Sequence, residues 1–68
     1  MDRIDLLKQR LQLYLDAESA ILRGQSYKIG SRELVRADLA EVMAMVDKLY
    51  AEIDLLELKS GRIKAVTF

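Results

Sequence analysis

Glu52, Asp54 and Glu57 are the closest this chain comes to a cation site. Hard cations need several converging carboxylate oxygens, but on a helix only Asp54 and Glu57 of these three stand at neighbour spacing. No calcium-loop pattern surrounds them, so a metal is not expected. The chain has no Cys and no His, which removes thiol nucleophiles, disulfide frameworks and structural zinc sites. Ser19, Ser26, Ser31, Ser60 and Thr67 accordingly have no histidine to act as their base. Gly24, Gly30 and Gly61 are too dispersed to cradle a phosphate. Tyr14, Tyr27 and Tyr50 could stack on bases, yet their places in apolar stripes read as core. Neither an enzyme nor a cofactor is expected.

The charges point instead to partners. The net charge of zero hides an uneven distribution. Residues 37–58 carry Asp38, Glu41, Asp47, Glu52, Asp54 and Glu57 against Lys48 alone, whereas Arg23, Lys28, Arg32 and Arg36 cluster against Glu33. Arg62 and Lys64 extend the basic character into the C-terminal segment. Such a basic end is either solvated surface or a contact for phosphate or an acidic partner.

The elements that would position these residues follow from periodicity. Asp2 can cap a helix over residues 3 to about 22, with Asp5 favourably placed in its first turn. Ile4, Leu7, Leu11, Tyr14, Leu15, Ile21 and Leu22 share its apolar face, and Gly24 is placed to end it in the left-handed conformation. Tyr27 and Ile29 alternate with polar residues up to the two-residue turn Gly30-Ser31, and the alternation returns through Leu34. That turn pairs Tyr27 with Leu34, Lys28 with Glu33 and Ile29 with Arg32, so Tyr27, Ile29 and Leu34 share one face. From about Arg36 or Ala37 a second helix presents Leu39, Val42, Val46, Leu49, Ile53 and Leu56, with Met43 and Tyr50 widening the stripe and Gly61 just beyond its end.

These signals predict an α+β domain over residues 1–61: two antiparallel α-helices of roughly 30 Å connected by a short two-stranded β-hairpin, followed by a flexible C-terminal tail over 62–68. A chain of 68 residues without staples is near the lower limit for a self-sufficient core, leaving oligomer contacts as the remaining source of burial. A second apolar set fits that need: Leu6, Leu13, Ala17 and Ala20 on the first helix, and Ala44, Met45, Ala51, Leu55 and Leu58 on the second. Leu6, Leu13, Met45, Leu55 and Leu58 are the expected oligomer interface. In the tail, Arg62, Ile63, Lys64, Val66 and Phe68 mix charge and apolar character in a way that suits docking onto a neighbour. No apolar run approaches the ~20 residues of a membrane span, and the start MDRID lacks a signal peptide's regions, so a cytosolic protein is expected.

The stretch over residues 24–39, G-Q-S-Y-x-I-G-x-R-x-L-x-R-A-D-L, together with the helix–hairpin–helix–tail layout, resembles the gpW-like head-to-tail joining (head-completion) proteins of tailed phages and prophages. Val35 departs from the pattern, since Thr would cap the second helix better at that position. The resemblance implies a non-enzymatic structural subunit, a homo-oligomer forming a ring between the portal or adaptor of a filled head and the tail proteins. It would assemble in the host bacterial cytoplasm and end at the virion neck. Arg23, Lys28, Arg32 and Arg36 would then contact an acidic partner or, non-specifically, DNA in the channel. No membrane and no small-molecule substrate enters this reading. A small nucleic-acid-binding regulator and a helical-hairpin protein–protein adaptor are the alternatives. The acidic second helix, which would repel phosphate, speaks against the regulator.

Overall fold

The structure is a computed structural model that describes residues 2–60. Helix α1 spans Arg3–Leu22, strands β1 (Tyr27–Ile29) and β2 (Arg32–Leu34) form an antiparallel hairpin, a 3-10 turn covers Arg36–Asp38, and helix α2 spans Leu39–Ser60. This is the expected α+β architecture. Gly61 and the segment over 62–68, with Arg62, Ile63, Lys64, Val66 and Phe68, lie outside the described residues.

Local chemistry explains each boundary. The Asp2 Oδ1 accepts the Asp5 N–H at 2.9 Å, satisfying one of the free donors at the start of α1. At the other end Gly24 takes φ +85°, its N–H donates to the Ile21 carbonyl, and the Gln25 N–H donates to the Ala20 carbonyl, both at 2.9 Å. These two bonds make a Schellman cap. The hairpin register is Tyr27 with Leu34, Lys28 with Glu33 and Ile29 with Arg32. Gly30 has φ +63° while no other kind of residue has positive φ among those described, which makes the turn type II′. Val35 has no side-chain acceptor to cap the 3-10 turn that leads into α2. Asp38 substitutes for it: its Oδ2 accepts the Val35 N–H at 2.9 Å, and its own N–H donates to the Val35 carbonyl at 2.8 Å.

The helices run antiparallel and bury two adjoining clusters. Leu7, Leu11, Val46, Leu49 and Ile53 form one, toward the open end. Ala17, Ile21, Val42 and the hairpin's Leu34 form the other, with half-buried Tyr27, Ile29 and Leu39 against it. Tyr14 packs on both.

Two readings of the apolar pattern are corrected. Ala17 and Ala20, assigned to the spare set, are buried, because Leu34 packs on this side of α1 and turns the core face toward it. Leu22, assigned to the stripe, is exposed for the same reason: it follows Ile21 by about 100° and points away from the hairpin. Met43 and Tyr50 are exposed as well, one residue on from buried Val42 and Leu49, so Tyr50 is not a core residue. The molecule measures 39 × 28 × 15 Å, little more than one helix thick. Among the described residues a slab this thin has no further layer to cover residues beside the helix–helix contact.

Candidate functional site

The basic residues at the hairpin end do not act as one group. Arg32, at the start of β2, turns its guanidinium onto the beginning of α2 and donates to both Glu41 oxygens, at 2.7 and 2.9 Å. Asp38 stands 3.6 Å away on the same side. This bidentate pair holds the Glu41 carboxyl below its ordinary range and raises the Arg32 guanidinium, in both cases first through the hydrogen bond and then through the opposite charge. Arg32 is therefore a latch between hairpin and helix. Lys28 lies opposite Glu33 across the ladder, both exposed.

Among the described residues no ion pair holds Lys28, Arg23 or Arg36. The Arg23 guanidinium donates to the Ser19 Oγ at 2.8 Å and to the Gln25 Oε1 at 3.5 Å, neutral partners that orient it without cancelling its charge. It borders an open depression of about 380 Å³ between α1 and Tyr27. Arg36 borders a neighbouring depression of about 450 Å³ floored by Ile21, and the two share Gln25 and Ser26. The hairpin end is thus a shallow polar surface on which Arg23, Lys28 and Arg36 stand outside the ion pairs found among the described residues, while Arg32 is paired.

The apolar surface is more extensive. Leu6, Leu13, Leu55 and Leu58, between 41% and 65% exposed, stand where the oligomer interface was expected. Leu6, Leu13 and Leu55 each follow a buried residue, Ile4, Leu11 or Ile53, by two positions, about 200° round the helix. They occupy the far edges of the slab, Leu6 and Leu13 on α1, Leu55 and Leu58 on α2. Met45 does not belong with them: it is half buried and packs against the core cluster. A small cleft of about 130 Å³ beside Leu55 is lined by Arg3, Glu52 and Leu56. The sequence reading missed a second surface, formed by Leu22, Met43 and Tyr50. Its signal was present, since each directly follows a residue of the inner stripe.

Among the described residues no polar or charged side chain is buried, and no group of three or more acidic residues is placed to hold a metal. Among the described residues no helix is long and apolar enough to cross a membrane. The model of a family of unknown function (DUF6148) matches residues 1–68. No curated protein and no solved structure matches the chain.

Proposed function

The chain belongs to the DUF6148 family, and we propose that it is a non-enzymatic structural protein of tailed phages or prophages, a head–tail connector subunit acting between portal and tail. The observation that carries this reading is the placement of exposed leucines on the two opposite edges of a thin slab, Leu6 and Leu13 on α1 and Leu55 and Leu58 on α2. Different surfaces on opposite edges suit head-to-tail contacts, which close into rings when the rotation allows. The resemblance over residues 24–39 supports the placement at the neck, since that stretch forms the hairpin and the start of α2. Arg23 and Arg36, at the hairpin end, are the residues suited to an acidic partner or to DNA in a channel. With Arg32 bound to Glu41, the DNA contribution is small and non-specific.

Cryo-electron microscopy of particles from an induced lysogen carrying this gene tests the proposal. Density for the protein in a ring at the head–tail junction is expected, together with unjoined heads and tails when the gene is deleted. Intact infectious particles from the deletion strain would overturn it.

A further inference from the structure

At seven-residue intervals Arg36, Met43, Tyr50 and Glu57 line one side of the second helical segment, and Lys8, Leu15 and Leu22 line α1. The Lys8–Glu57 ion pair, at 2.9 Å, places both rows on the same broad face of the slab. On that face Leu22, Met43 and Tyr50 are 56%, 46% and 48% exposed, and Leu15 is half buried between the helices. The result is an apolar seam with Arg36 at one end and, at the other, Glu57 paired with Lys8, the Glu57 side chain 18% exposed.

The seam is complementary to its own reverse. Arg36, in the 3-10 turn before α2, and Glu57 stand equally far in sequence, in opposite directions, from the midpoint between Met43 and Tyr50. A two-fold axis through that midpoint and normal to α2 brings Met43 onto Tyr50 of a second copy, Arg36 onto its Glu57, and Leu22 close to its Leu15, all in one register. Asp54, exposed one turn before Glu57, adds to the acidic end. We infer that this face docks a second copy of the chain, antiparallel, as an isologous four-helix dimer in which Glu57 is shared between Lys8 of its own chain and Arg36 of the other copy. With α2 of one copy on α2 of the other, parallel stacking would bring Arg36 onto Arg36 and Glu57 onto Glu57, so for that pairing the charges select the antiparallel register. The dimer is independent of the connector reading, because it uses one face twice whereas a ring uses two edges once each.

Sedimentation equilibrium of the full chain tests it. A dimer is expected, with Met43→Glu and Tyr50→Glu each raising its Kd about tenfold or more while the far-ultraviolet circular dichroism stays that of the parent. Arg36→Glu and Glu57→Arg should each weaken association, and the double variant Arg36→Glu/Glu57→Arg should recover most of it, since the exchanged charges meet again across the axis. The edge changes Leu13→Glu and Leu55→Glu should leave this Kd unaltered, which separates failure of the dimer from failure of the ring. A monomer up to about 1 mM, a dimer indifferent to the seam changes, or a double variant no tighter than the single ones would overturn the inference.

Discussion

Leu49 lies in the middle of α2 and is 2% exposed, enclosed by Leu7, Leu11, Val46 and Ile53. Leu49→Met keeps volume and apolarity and should cost less than about 1.5 kcal/mol. Leu49→Asp places an unpaired carboxylate there at a cost of several kcal/mol, comparable to everything a domain of this size has to spare. A thermal melt followed by circular dichroism should show the first variant folded and the second unfolded; an Asp variant melting like the parent would mean that the helix face is not buried. Gly30 poses a different question, because a Cβ added there meets nothing within 4 Å. The penalty for Gly30→Val is therefore one of backbone conformation at φ +63°, about 1–3 kcal/mol, whereas Ser31→Asn should stay within about 0.5 kcal/mol. Equal melting temperatures for the two variants would remove the type II′ turn.

The hairpin and α2 are joined by the Arg32 latch, and this coupling makes the element sensitive to acid. Glu41 is held below its ordinary value of 4.5 in the folded chain, so its contribution is present above that value and is lost as pH falls through the lowered one. Amide exchange should therefore show the Tyr27–Leu34 ladder loosening on the acid side. In Glu41→Gln that acid-side change should be missing, and an unchanged pH profile in this variant would dismiss the latch. The latch also shows where sequence reasoning stops. The hairpin register, the Asp2 cap and the Gly24 cap are set by residues within a few positions of one another, so alternation and turn chemistry were enough to find them. Arg32 and Glu41 meet around the corner between a strand and a helix, nine positions apart, where no periodic rule applies. The stripes were legible at their centres but not at their borders. Whether Leu22, Met43 and Tyr50 are inside depends on which side the hairpin covers, and Ala17 and Ala20 were misplaced for that same reason.

At the scale of the whole molecule, two kinds of apolar surface coexist on one thin slab, and they make separable demands. In the proposed ring the edges are heterologous: a head-to-tail contact joins the α1 edge of one copy, with Leu13, to the α2 edge of the next, with Leu55. Burying a leucine contributes about 1.5–3 kcal/mol, so replacing one by Glu should weaken each edge contact at least about tenfold, while exposed positions leave helicity intact. Leu13→Glu spoils one edge of a subunit and Leu55→Glu the other. A copy with either change can add to a growing ring on one side only and then blocks the next addition. Each variant alone should fail to complement a prophage deletion. Coexpressing the two variants should fail as well, because one intact α1 edge meets one intact α2 edge and the chain of contacts ends there. Either variant expressed beside the parent should lower the infectious titre by terminating rings that the parent would have closed. The titre of plaque-forming particles reads all five cases, with circular dichroism confirming that the variants fold. Recovery on coexpression would mean that the edges do not act in series, and full titre from either variant alone would remove them from assembly altogether.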